Sequence, residues 1–256
     1  MTASLPTIPQ PGPFDQLLSL RGNCAVVTGG SRGLGEATVH RLAQAGAAVV
    51  FTGRGGEALK RVEQELAATG ATAVGVRADI SHLDDSERVV DLAVQRFGGV
   101  DILVNNAALY TPSFALDTTE DLFDSVVGAD LKGAAYASAK VGLWAATQNL
   151  AKELAPHQIL VNAVTPGSTI TEERLAMFRD GSFAAARVPA DAAATLARLQ
   201  GSLASGGFAQ MLTTLMPLGH PGWPDEIAKA VLFLASDLGS YVSGANIAVD
   251  GAQSLR

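Results

Sequence analysis

With 256 residues, 48% of them apolar and 17% charged, the chain can build a substantial core, as one large α/β domain or as two small ones. A formal charge of −7 argues against nucleic acid and anionic membrane surfaces as partners. No apolar run reaches the ~18 residues of a membrane span, and the N-terminus lacks the charged-then-apolar order of a secretory signal.

Residues 1–13 hold four prolines and read as a disordered arm; residues 14–256 read as a single domain. Asn23–Thr28 is an apolar first strand containing Cys24, the only cysteine. No disulfide can form within the chain, and a cytoplasmic location is expected. Leu34–Ala45 has helical periodicity, with Leu34, Ala37, Thr38, Leu42 and Ala45 inward. Ala47–Thr52 is a strand of the continuous apolar kind buried in parallel sheets. Glu57–Thr69 is a helix with Leu59, Val62 and Leu66 in phase, Thr72–Ala78 a third strand, and Asp84–Phe97 a helix with Val89, Val90, Ala93, Val94 and Phe97 inward. Asp101–Asn105 is the fourth strand. A helix-compatible stretch runs from Thr118 to about Ala155, followed by a strand over Ile159–Val164. Pro224–Ala235 is a helix and Asn246–Val249 a final strand.

This alternation predicts an α/β fold, a doubly wound parallel sheet with helices on both faces and ligands beyond the C-terminal strand ends. Three suggestive groups fall there: Thr28–Gly35, Gly53-Arg54, and Asn105-Asn106-Ala107-Ala108. Glycines that end a strand and open a helix suit a phosphate, since the backbone can approach it and the helix N-terminus offers N–H groups. Alone, the loop fits a ligand-free turn as well. The four histidines, His40, His82, His157 and His220, have no metal-ligand spacing, so no metal is expected.

In family order, Thr28-Gly29-x-x-x-Gly33-x-Gly35, Asp79, Asn105-Asn106-Ala107-Ala108, Tyr136-x-x-x-Lys140, Asn162-Ala163-Val164-x-Pro166-Gly167 and Val249-Asp250-Gly251 resemble the motifs of the short-chain dehydrogenase/reductase family over about residues 20–252. The resemblance implies a Rossmann-like fold, a nicotinamide cofactor, and hydride transfer to or from a small-molecule carbonyl or alcohol. It places Gly29, Ser31, Arg32, Gly33, Leu34, Gly35, Arg54, Asp79, Ile80, Asn106, Ala107, Gly167, Thr169 and Thr171 around the cofactor, and makes Tyr136 and Lys140 catalytic, both also touching the cofactor. Four residues apart on a helix, Tyr136 and Lys140 share a face. A nearby ammonium lowers a phenol pKa from ~10, which suits an acid–base role. The family's acidic residue for the NAD ribose is replaced by Gly53. With Arg32 and Arg54 beside it, the cofactor expected is NADP(H), because guanidiniums suit a 2′-phosphate. The C-terminal helix and strand resemble the surfaces through which family members form homo-oligomers.

The chain departs from the family between Asn106 and Tyr136. Family members place most of a helix, a strand and the catalytic serine there, whereas here about 30 residues, the size of one αβ unit, are missing. Ser138 lies on another helical face than Tyr136 and does not replace that serine. Asp130 stands where the family usually has asparagine. The expectation is a sheet lacking one central αβ unit, with the strand after the gap pairing with the fourth, and turnover impaired; the alternative is an inactive nucleotide-binding protein or partner subunit of the same fold. Residues 172–216 are expected to form a substrate lid.

Overall fold

Strand β1 (Cys24–Val27) is buried at all its residues, because it has a neighbour on each side. The computed structural model describes residues 12–108, 134–179 and 216–255, apart from the side chains of 134–139, 174 and 177–179. In it β1 pairs in parallel with β2 (Ala48–Gly53) and with β4 (Ile102–Val104), and β2 pairs with β3 (Ala73–Arg77), giving the order β3-β2-β1-β4. Parallel neighbours need crossover helices, and these cover both faces. Helices α1 (Gly33–Gln44), α2 (Gly56–Ala68) and α3 (Leu83–Phe97) follow β1, β2 and β3 in turn.

Alternation along the strands divides the core into two layers. Ala25, Val27, Val49 and Phe51 pack with Val39 and Leu42 of α1 and with Leu59, Val62 and Leu66 of α2. Cys24, Val26 and Val50 face the other way, onto Val89 and Ala93 of α3. Burial, reinforced by Asp101, pushes the Cys24 thiol pKa up, so it behaves as a packing group.

Beyond α4 (Ala134–Leu154), strands β5 (Ala163–Pro166) and β6 (Asn246–Val249) form a separate parallel pair. The expected pairing of β5 with β4 is not found: among the described residues β4 is bonded only to β1, and β5 only to β6. Among the described residues β5 thus does not join β4, and Leu103 of β4 is 58% exposed. β5 also begins later than the expected Ile159, which is itself exposed with Leu160. Helix α6 (Pro224–Ala235) packs on α1 and touches β5 and β6, linking the two sheets through side chains. Of the expected lid, the described part before residue 216 is α5 (Glu172–Arg179). The rest of it, Asp130, and the expected arm up to residue 11 lie outside the described residues.

The α1–α6 contact is fastened by charge. Arg41 Nε donates to Asp225 Oδ1 at 2.8 Å, Arg41 Nη2 also pairs with that carboxylate, and Lys229 Nζ lies 2.9 Å from Oδ2. Burial alone would raise the Asp225 pKa, but Lys229 and Arg41 outweigh it and hold the carboxyl below the usual range. A folded-state pKa below the unfolded one gives stability that is present above the unfolded value and lost as pH falls through the folded one. Arg41→Ala is thus expected to lower the melting temperature near neutral pH by a few degrees, about what a partly exposed ion pair is worth. That difference is expected to shrink below about pH 4. Thermal melts of both proteins across the acid range measure it.

Candidate functional site

The sheet order places the change of winding direction between β1 and β4, and in open α/β sheets this is where ligands bind. The residues after both strands are locked together there. Thr28 Oγ1 accepts the backbone N–H groups of Asn106 and Ala107, both at 3.0 Å. Asn106 Nδ2 donates to Thr28 O at 2.9 Å and to Gly29 O at 3.2 Å. From β2, Thr52 Oγ1 accepts Gly29 N–H at 3.1 Å, and Thr52 O accepts Gly30 N–H at 2.8 Å. The glycine loop is therefore held at three strand ends before any ligand arrives. Asn106 thus carries a scaffolding bond as well as its place at the cavity.

Around this loop lies a cavity of about 350 Å³. Gly29, Ser31, Arg32, Gly33, Leu34 and Gly35 form its floor, and Arg54, Asp79, Ile80, Asn106 and Ala107 its walls. No side chain caps the start of α1 by a hydrogen bond, so its first N–H groups and positive dipole end are turned to the loop region. Arg54 is exposed at the rim and Arg32 is 67% exposed. Asp79 Oδ1 accepts Ser81 Oγ–H at 2.7 Å and Ser81 N–H at 3.1 Å. These bonds, with smaller help from His82 and Arg54, hold its carboxyl below the usual range. A Cβ on Gly53 would stand 2.8 Å from Ser31 Cβ, so β2 ends against the glycine loop with no room for a side chain.

A larger cavity of about 570 Å³ lies at the opposite, N-terminal ends of the strands, near Asn23, Ala47 and Thr72. Its described lining has no charged side chain, and it lacks the helix N-terminus that suits an anion. The smaller cavity is the candidate site.

Behind the loop, Arg61 of α2 donates to Glu36 at 2.8 and 2.6 Å, to Glu65 at 2.9 Å, and to Ser31 O at 3.4 Å. The hydrogen bonds to Glu36 and Glu65 raise the Arg61 pKa. His40 joins this group, 3.4 Å from Glu65, so the fold gathers Glu36, His40 and Glu65 within 4.8 Å although the spacing of the histidines gave no metal pattern. The guanidinium already supplies the positive charge there.

Other expected residues are placed apart from the cavity. Gly167 N–H bonds Val249 O at 3.0 Å, and Thr169 is buried with its hydroxyl donating to Gly167 O at 3.1 Å; neither lines the cavity. Thr171 comes close, its Cγ2 lying 3.4 Å from where a Cβ on Gly33 would be. Lys140 is exposed on α4 and is likewise not part of the lining, and the Tyr136 side chain lies outside the described residues. Both belong to one helix, as expected. Sequence reading missed Thr52, Ser81 and Glu173 as cavity residues. Thr52 could have been found as the polar end of an apolar strand; Glu173 reaches the site only through the fold.

A parallel sheet with a glycine loop feeding a helix at its switch point defines a dinucleotide-binding protein. The short chain dehydrogenase family matches residues 23–134 and 130–180, and the enoyl-(acyl carrier protein) reductase family matches residues 185–252. The chain is 32% identical to an L-rhamnose 1-dehydrogenase (NAD(P)(+)) of Azotobacter vinelandii, over 88% of this chain and 94% of that one. It is 32% identical to a 3-oxoacyl-(acyl-carrier-protein) reductase of Aquifex aeolicus, over 91% and 98%. Among solved structures, a short-chain dehydrogenase/reductase of Serratia marcescens superposes with a TM-score of 0.74 at 28% identity, covering 92% of this chain and 99% of that one. The chain belongs to the short-chain dehydrogenase/reductase family of oxidoreductases, which use a nicotinamide cofactor on small-molecule substrates. No described helix is long and apolar enough to cross a membrane.

Proposed function

We propose that this chain is an NADP(H)-dependent oxidoreductase of reduced turnover, acting in the cytoplasm on a small carbonyl or alcohol. The carrying observation is the pair Arg32 and Arg54 on one cavity, with Gly53 at the end of β2 offering no carboxylate. Guanidiniums bind a dianionic phosphate well, and an acidic residue at Gly53 would repel it. The cavity fits the cofactor's adenosine and pyrophosphate half: glycine backbone and a helix start for the pyrophosphate, Asp79 and Ile80 for the base, and arginines for the 2′-phosphate. When bound, the nicotinamide supplies or accepts the hydride. Tyr136 gives a proton to the substrate oxygen in reduction or takes it in oxidation, and Lys140 holds the ribose and stabilises the tyrosinate. Gly167, Thr169 and Thr171 guide the nicotinamide end.

Reduced turnover is supported by the interval before Tyr136. The alignment with the Azotobacter relative spans 268 positions, more than the 256 residues of this chain, so the alignment contains positions where this chain has none. The family match is split into two pieces that meet at residues 130–134. That β4 and β5 are not paired with each other among the described residues is consistent with one αβ unit missing between them. The sequence before Tyr136 holds no counterpart of the family's strand and serine to orient the substrate oxygen, and ~1 Å of misplacement can cost about a hundredfold in rate. Association of copies through α6 and β6 is supported by exposed Leu238 and Tyr241 between those elements.

Fluorescence titration is expected to show NADPH binding at least about tenfold tighter than NADH, and Arg54→Ala is expected to remove most of that preference. NADPH oxidation over a panel of ketones and aldehydes is expected to be slow but measurable. Equal affinity for both cofactors would overturn the NADP(H) assignment, and tight NADPH binding with no turnover would reduce the protein to a nucleotide binder.

A further inference from the structure

Arg32 is claimed from two sides. It stands immediately before α1, on the cavity, and its Nη1 donates to Glu173 Oε1 at 3.1 Å. Glu173 comes from the first turn of α5, 141 positions away in sequence, and it lines the same cavity. Two residues before it, Thr171 Cγ2 lies 3.4 Å from where a Cβ on Gly33 would be. The start of α5 is therefore fastened to the glycine loop by an ion pair, a carboxylate on the guanidinium that the NADP(H) reading gives to the 2′-phosphate.

We infer that Glu173 is a specificity-determining residue that disfavours the 2′-phosphorylated cofactor and couples its binding to the docking of α5. The inference rests on the proposed NADP(H) reading. A phosphate at Arg32 either displaces the carboxylate or shares the guanidinium with it. In both arrangements a negative side chain stands within a few ångströms of a dianion, and at such separations, inside the screening length of physiological salt, the repulsion is felt. NADH has no charge at that position and is affected far less. When the phosphate takes Arg32, the ion-pair anchor of α5 is released.

The test is Glu173→Gln, which keeps the size and hydrogen-bonding capacity and removes the charge. NADPH and NADH affinities are measured by fluorescence titration on the full chain, at low and high salt, for the wild type, Glu173→Gln, Arg32→Gln and the double variant. The expected result is NADPH affinity raised about fivefold by Glu173→Gln, a gain that shrinks at high salt and disappears in the Arg32→Gln background. A wild-type preference for NADPH combined with an unchanged or weakened affinity in Glu173→Gln overturns the role of Glu173 and leaves the cofactor assignment intact. Failure of both the wild type and Glu173→Gln to bind NADPH overturns the two together.

Discussion

Gly35→Ala is expected to weaken dinucleotide binding by at least about a hundredfold. A Cβ at this position would stand 2.9 Å from the Gly29 carbonyl carbon and closer still to that carbonyl's oxygen and to Asn106 Nδ2. These are not the ends of flexible side chains that can swing aside. One is the backbone of the phosphate loop, and the other is the amide that ties the loop to the end of β4. Relief of the overlap must move the loop away from α1 or break the Asn106 bonds, and either change destroys the cradle. Overpacking of this kind costs about 1–3 kcal/mol in stability, and displaced phosphate-binding N–H groups add a loss of affinity of at least about a hundredfold. Cofactor titration together with a thermal melt checks both effects. Gly142→Ala is the control: it lies within α4 with open space where its Cβ would go, so it should leave binding intact and, if anything, strengthen its helix. Binding retained by Gly35→Ala would mean that the loop does not hold the dinucleotide.

Tyr136→Phe should remove turnover and spare cofactor binding. Removing a positioned acid–base group costs about 10²–10⁴-fold in rate, whereas the phenylalanine ring keeps the shape of the helix surface. The pH profile gives the finer readout, because the limb that reports the catalytic proton should vanish with the hydroxyl. Lys140→Met should lower the rate and also weaken the cofactor, since its proposed contacts are with both the tyrosinate and the ribose. Equal rates for wild type and Tyr136→Phe would move the chemistry to another group. A wild-type rate too slow to assay would leave the binder reading standing, which the same titrations separate from a damaged cradle.

Much of the nucleotide half was legible because its signals are local. An apolar run, glycines and a helical stripe lie next to one another at β1–α1, and the residues expected around the adenosine and pyrophosphate meet on one cavity. The inward face of α1 was read less well. The expectation named Leu34, Ala37 and Ala45, whereas Gly35, Val39 and Ala43 are buried alongside Thr38 and Leu42. A helix lying between a sheet and a second helix buries a broader arc than one stripe, and the presence of α6 on that side, nearly 200 residues later, has no local trace in the sequence. Val90 and Val94 of α3 fail the opposite way: they are in helical phase but exposed, because periodicity reports an apolar stripe and not whether anything covers it. Glu173 was invisible for the same reason as α6, since its partner Arg32 lies in a distant part of the chain. The expectation of a missing αβ unit rests only on the interval between two family motifs. Its expected consequence, β5 joining β4, assumed that a gap in sequence becomes a closure in space.

The two sheets meet through α6 and not through a shared ladder among the described residues. A backbone ladder fixes its members residue by residue, while a helix seated by apolar contacts and the Arg41–Asp225 pair can be approached from chains of different length. The fold is thus partitioned among the described residues: the glycine loop and its cavity have their own interior and their own locking bonds, and the β5–β6 pair stands apart from that ladder.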